Sequence, residues 1–294
     1  MEPERQPQRK ARWTLAGVLA ALFAAMLLYQ VLHAGHLEQT ALFYVGLPAV
    51  IAVTVALTVR PRGTLGMVMA SLTIALALAG PLLGEGIVCL VLAAPLFYLV
   101  GGIIAMAVDE TRRRPDGGRL SLVIVPLVLA ASLEGTAMAM PRDGEASVTV
   151  AASGADVERA LAAEPRFGPV ESPFLRLGFP RPLRSEGTGL AVGDTRTITF
   201  TPRRSLGIGA PLEPRSLTLR VSDRAPGRVV FAVVRDTTVA RWMDLRQAAF
   251  AWRADRLTVT IAYRRTFDPG WYFGPLQRHA VSEAAGYLAA TFTS

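Results

Sequence analysis

The chain of 294 residues is 51% apolar and only 18% charged, with a mean hydropathy of +0.36 and a formal net charge of +8. That apolar content excludes a wholly water-soluble protein of this length. A single cysteine, Cys89, excludes an internal disulfide, and the basic residues form no aromatic-interleaved patch, so nucleic acid is not an expected partner.

The average conceals two halves. From Met1 to Pro141 there are ten basic and eight acidic residues, gathered mostly into three short tracts between long uncharged runs. From Arg142 to Ser294 there are twenty-one Arg and fifteen acids, spread as on a soluble domain. The boundary falls near Pro141.

A basic tail, residues 1–12, precedes the first apolar run. A bilayer core about 30 Å thick needs roughly 20 apolar residues of helix, because each backbone polar group must be satisfied within the segment. Residues 13–32, 41–59, 64–83 and 87–108 meet that requirement. A fifth run, residues 120–140, is interrupted by Pro126 and contains Glu134. The sequence thus predicts a bundle of about five transmembrane helices.

Arginine placement sets the predicted orientation. Arg5, Arg9, Lys10 and Arg12 precede the first run, Arg60 and Arg62 separate the second from the third, and Arg112, Arg113, Arg114 and Arg119 precede the fifth. The tracts from His33 to Thr40 and from Gly84 to Gly86 hold no Lys or Arg. This alternation predicts a multi-pass protein of the cell membrane with a cytoplasmic N-terminus and an extracytoplasmic C-terminal domain. The first run is longer than a signal-peptide core and no small-residue cleavage site follows, so it reads as a retained anchor. Failure of the fifth run to span would leave the C-terminal domain in the cytoplasm.

The interiors of the first four runs contain no Asp, Glu, Lys or Arg, which favours an anchor over a transport pathway. His33, His36, Glu38, Glu85 and Glu134 are predicted at one membrane face, but His-x-x-His without a third fixed ligand is weak ground for a metal site, and no metal or cofactor is expected. Gly101 and Gly102 form a small-residue patch suited to close helix packing.

After a linker, residues 141–145, the pattern changes. Ser147 to Ala151 alternates polar and apolar residues as a half-buried strand does, and Ser153 precedes a short amphipathic helix over Val157 to Ala162. The Pro- and Gly-rich stretch from Pro165 to Gly193 carries Phe167, Phe174, Leu175, Leu177 and Phe179, more apolar residues than a free loop needs. Strands are predicted at Thr195–Thr201, Ser216–Ser222, Val229–Val234, Leu245–Trp252 and Leu257–Tyr263, with a hairpin turn at Ala225-Pro226-Gly227. The chain closes with a long helix from near Trp271 or Pro275 to about Thr291, its apolar face including Phe273, Leu276, Ala280, Ala284, Tyr287 and Leu288. The fold class for residues 146–294 is therefore α+β, a curved antiparallel sheet wrapping a long C-terminal helix.

The opening Ala146-Ser147-Val148-Thr149-Val150-Ala151-Ala152-Ser153-Gly154-Ala155-Asp156-Val157 and the closing Phe267-Asp268-Pro269-Gly270-Trp271-Tyr272-Phe273-Gly274-Pro275-Leu276 give this half a resemblance to the SRPBCC superfamily. That group includes START-like lipid-binding domains and polyketide cyclase/dehydrase proteins. The resemblance implies a helix-grip fold with a cavity for an apolar ligand, and no universal catalytic motif.

Alternate strand residues Leu217, Leu219, Val221, Val230, Leu257, Val259 and Ile261 are the expected cavity wall, although the same residues would equally make a filled core. Trp271, Tyr272 and Phe273 either cap the sheet or line a ligand entrance. Asp236, Asp244, Asp268, His279 and Glu283 are the available acids and bases, but none has a spacing that fixes mutual geometry, so no catalytic residue is assigned. The expected function is a membrane-anchored binding protein whose outer domain holds a hydrophobic or lipid-like small molecule. A cyclase- or hydrolase-type enzyme acting on a bulky apolar substrate is the alternative, as is a subunit or sensor with membrane-protein partners. The lipid bilayer is the first expected partner.

Overall fold

The computed structural model describes residues 5–34, 47–59, 63–83, 87–113, 141–176, 179–204, 212–240 and 242–293. These divide into two compact units. One holds four helices, and the other a sheet with a long closing helix.

In the helical unit, α1 (Arg5–Ala34), α2 (Leu47–Thr58), α3 (Thr64–Leu83) and α4 (Ile87–Arg113) pack in chain order. Ala16, Leu19, Phe23 and Met26 of α1 bury against Ala52 and Ala56 of α2. Arg12 donates to the carbonyls of Ala56, Leu57 and Val59, which closes the C-terminal end of α2 with a cation where the helix dipole favours one. The start of α1 therefore lies beside the end of α2. Between α3 and α4, a Cβ at Gly101 would sit 2.5 Å from Leu72 Cδ1 and one at Gly102 would sit 3.3 Å from the Met69 methyl. Glycine here lets the two backbones approach, and a Thr73–Tyr98 hydroxyl hydrogen bond of 2.7 Å joins the same helices.

One segment among the described residues, Leu90–Asp109, is both long and apolar enough to cross a membrane. The other described apolar helical stretches are shorter: Ala11–Met26, Leu47–Thr58 and Thr64–Ala79. Residues 120–140, the expected fifth run, lie outside the described residues, as do the side chains of His33, His36, Glu38, Glu85 and Glu134. The bundle of about five spans is thus an expectation that the described helices meet only in part.

The second unit is a seven-stranded antiparallel sheet in the order β1-β7-β6-β5-β4-β3-β2. Its strands are β1 (Asp143–Ala151), β2 (Pro182–Glu186), β3 (Thr195–Arg204), β4 (Leu212–Ala225), β5 (Arg228–Asp236), β6 (Met243–Trp252) and β7 (Arg256–Arg265). Three helices complete it: α5 (Gly154–Ala162), α6 (Pro173–Arg176) and α7 (Gly270–Thr291). β1 starts inside the stretch read as linker, because Asp143 and Gly144 already pair with Arg264 and Tyr263. Side chains alternate between faces as a pleated strand requires. Ser147 and Thr149 bond the hydroxyls of Thr260 and Thr258 across the exposed face at 2.7 and 2.9 Å, while Leu257, Val259, Ile261 and Tyr263 point into the core.

Register shifts in β4–β5 and β6–β7 bend the sheet. The turn at Pro226-Gly227 forms as expected, with Gly227 at φ 73°, a conformation that side-chain-bearing residues rarely adopt. Ser153 is the N-cap of α5 but makes no side-chain capping bond. α7 begins at Gly270, with the amides of Tyr272 and Phe273 bonded to Pro269 O. Pro275 consequently lies in the second turn, not the first.

Candidate functional site

The helix α7 does not lie over the middle of the sheet. It packs on β1 and β7, the strands at one side, through the small buried residues Ala280, Val281, Ala285 and Ala289. Beneath it Leu257 and Val259 have no exposed surface and the core is filled. Over the neighbouring strands the sheet curves away and a cavity of about 200 Å³ remains.

The floor of this cavity is the inward face of five strands: Ile198 and Phe200 of β3, Leu217 and Leu219 of β4, Phe231 and Val233 of β5, Ala248 and Phe250 of β6, and Ile261 of β7. Ala280, Val281, Ala284, Leu288 and Phe292 form its helical side, and Phe167, Val170, Leu175 and Phe179 close it from the Pro-rich stretch. Those apolar residues of the stretch pack over the core, as their composition predicted; Leu177 lies outside the described residues. Perpendicular ring contacts fix the wall, with Phe250 edge-on to both Phe231 (5.8 Å) and Phe292 (5.3 Å).

The pairing of β5 with β6 runs from Arg228–Ala251 to Ala232–Gln247 and then stops. Beyond it the two strands diverge, and a second depression of about 410 Å³ opens between Val233–Asp236 and Asp244–Arg246. Val233 and Leu245 border both spaces. The connecting turn is held at its ends. Asp236 Oδ1 accepts from the amides of Thr238 and Val239, and Gln277 and Thr266 both donate to Trp242 O.

Polar groups at the cavity are few. Thr238 Oγ1 is bonded to Asp236, Tyr287 donates to Gly168 O at 2.9 Å, and Arg181 and Gln247 stand exposed at the rim. Burial raises the Tyr287 pKa above the usual tyrosine value, so this hydroxyl stays protonated at neutral pH. Arg196 is the exception, a cation in the wall with 4% of its surface exposed. Its Nη2 donates to Leu161 O at 2.7 Å and its guanidinium lies over the Phe231 ring at 5.5 Å, while Nε has no partner among the described residues. Desolvation lowers its pKa, opposed by the charge of Glu164.

The ten residues expected at the site fall in four places. Leu217, Leu219 and Ile261 line the cavity. Val221, Leu257 and Val259 belong to the same core but are packed, without lining the open volume. Val230 alternates out of register with Val229 and Phe231, which face the core, so it occupies the opposite face of the sheet. Trp271, Tyr272 and Phe273 meet edge-on in the first turn of α7, about 10 Å of helix rise before Ala280, the first α7 residue of the cavity.

The acids and bases considered in the sequence lie elsewhere. Asp236 caps the turn, Asp244 pairs with Arg246 at 2.7 Å, and Asp268 pairs with Arg142 and Arg265. His279 is exposed, its ring edge-on to Phe174. A cyclase or hydrolase needs an acid and a base directed at the substrate, and no Asp, Glu or His among the described residues lines the cavity. The described residues also contain no cluster of three or more metal-ligating side chains. Arg196 was not singled out from the sequence, although the alternation of Arg196, Ile198 and Phe200 places it on the inward face.

No family model matches the sequence, and no curated protein matches it. Similar solved structures include a major latex-like protein from Panax ginseng, in one crystal at 16% identity with a TM-score of 0.28 and in another at 14% with 0.27; each alignment covers 48% of this chain and 96% of that one. A Polyketide_cyc-like protein from Corynebacterium glutamicum aligns at 14% identity with a TM-score of 0.24, over 51% of this chain and 83% of that one.

The placement of the expected residues has an energetic consequence. Leu257→Ala removes a side chain with no exposed surface from a filled region and is expected to cost about 2–5 kcal/mol of domain stability. Leu217→Ala, at a wall that already faces open volume, is expected to cost at or below the lower end of that range. Chemical denaturation of the two variants, followed through the Trp252 environment, checks the difference, and equal losses would mean that the region over β4 is as tightly filled as that over β7.

Proposed function

We propose that this chain is a membrane-anchored binding protein whose C-terminal domain, an SRPBCC-type domain, holds a small hydrophobic or lipid-like molecule between β3–β7 and the second half of α7. The observation that carries this reading is the cavity itself: a protein interior normally closes on itself at crystal-like density, yet aliphatic and aromatic groups here surround open volume. Burial of apolar surface is favourable by roughly 25 cal/mol per Å², so an apolar guest that covers this wall is stabilised without any directed chemistry. The lining that is present, mostly aliphatic and aromatic, supports the binding of an apolar body.

The anchor in this reading is the N-terminal bundle with about five crossings, an N-terminus in the cytoplasm and the binding domain outside. Support comes from the arginine alternation of the connecting tracts, from Leu90–Asp109 and from the shorter apolar helices before it. Arg12, a residue of the basic tail, holds the end of α2, which suits a hairpin whose two open ends share one membrane face.

The ligand reading is tested by filling the cavity. Ala284→Trp places an indole in the open volume and is expected to lower the affinity of the full-length protein in lipid nanodiscs for a naphthalene-based probe by about tenfold or more, with the far-UV circular dichroism unchanged. Unaltered probe binding in a folded variant would remove the cavity as the site. Orientation is tested separately by a reporter fused after Ser294, for which a signal from outside the cytoplasm is expected and a cytoplasmic one would reverse the placement.

A further inference from the structure

A guanidinium is effectively never deprotonated in proteins. Burying such a charge is unfavourable unless it is paired and its donors are satisfied. Arg196 is only 4% exposed, and Glu164, the carboxylate whose charge acts on it, stands exposed to solvent and makes no direct ion pair with it among the described residues. One of its hydrogen bonds has an evident structural role: Leu161 O belongs to the last turn of α5, where a cation suits the helix dipole. That bond occupies Nη2 and leaves Nε without an acceptor. The cation–π contact with Phe231 stabilises the charge from one side only and supplies no acceptor for the N–H groups.

Arg196 is a residue of the cavity wall beside Ile198 and Phe231, its Nε itself having no accessible surface, and no other buried charged residue lines the same volume among the described residues. Resting on the reading of that cavity as a ligand site, we propose that its natural occupant is an apolar carboxylate, a molecule with a small hydrophobic body and one anionic head that is received by Arg196. A monoanion balances the one buried guanidinium, whereas the second charge of a phosphate ester would have to reach the exposed Arg181 at the rim or remain in the apolar wall. A carboxylate also offers the guanidinium a charge-assisted hydrogen bond that an uncharged lipid cannot match. The apolar body then lies along the Phe231–Phe250–Phe292 wall, and the volume of about 200 Å³ selects against long chains that are wholly enclosed.

The test uses the full-length protein in nanodiscs, with empty nanodiscs as the blank, and equilibrium dialysis of 2-naphthoate, 2-naphthamide and 2-naphthyl phosphate. These share one ring system and differ in head group. The wild-type protein is expected to bind naphthoate about tenfold more tightly than the uncharged amide and more tightly than the phosphate. In Arg196→Met, which keeps an unbranched apolar side chain, the ratio of naphthoate to amide affinity is expected to fall to about one. A purely structural Arg196 predicts loss of all three together. Equal wild-type affinities for naphthoate and amide would overturn the carboxylate assignment and leave the cavity reading intact, and tighter binding of the phosphate would overturn the choice of head group. No binding of any of the three would overturn both the assignment and the cavity reading. The wild-type titrations decide the matter by themselves where Arg196→Met fails to fold.

Discussion

The off-centre seat of α7 on the sheet is the constraint from which the rest of the C-terminal domain follows. Alanines at 280, 285 and 289 bring the helix close to β1 and β7, and that close approach is favourable because it excludes water from both surfaces at native packing density. A helix seated there cannot also cover β3 to β6. The sheet, bent by its bulges, carries those strands around the helix and leaves their inward face bordering open volume. The Pro-rich stretch with Phe167, Phe174 and Phe179 covers the remaining side. The result is one continuous apolar face with two fates, filled beneath the helix and open beside it.

This division explains which parts of the fold and site were legible in the sequence. Alternation in β1, β4 and β7 identified the inward face, because a period of two is a local property of the strand. Lateral position along the sheet is set by pairing partners distant in sequence, so Leu217 and Leu257 looked equivalent and are not. Val230 lies in an uninterrupted apolar run, where alternation gives no phase, and only the neighbours in β6 show that Val229 and Phe231 take the inward positions. The cluster at Trp271 to Phe273 was legible as an aromatic cap but its distance from the cavity depends on where α7 begins. The helix start at Gly270 places that cluster a full turn earlier than a start at Pro275 would.

Arg196 illustrates a different limit. Its phase with Ile198 and Phe200 was readable, but a protein with thirty arginines offers many at inward phase near strand ends that reach water. Its significance comes from burial, from a single structural hydrogen bond and from an adjoining apolar volume, all of which are properties of the assembled domain. The helical half shows the converse. Hydropathy and arginine placement give its expected membrane character without tertiary information, and Gly101 and Gly102, selected only for their size, sit where side chains of α3 pack on the α4 backbone.

The central claim is that an apolar molecule enters the domain beside α7. Photolabelling tests it most directly: full-length protein in nanodiscs is irradiated with a naphthalene-based diazirine probe, and the labelled peptides are identified by mass spectrometry. The account predicts adducts on residues 217–219, 231–233, 248–250 and 280–292, reduced in Ala284→Trp. Labelling confined to the N-terminal helices, or to the aromatic turn at residues 271–273, would contradict it.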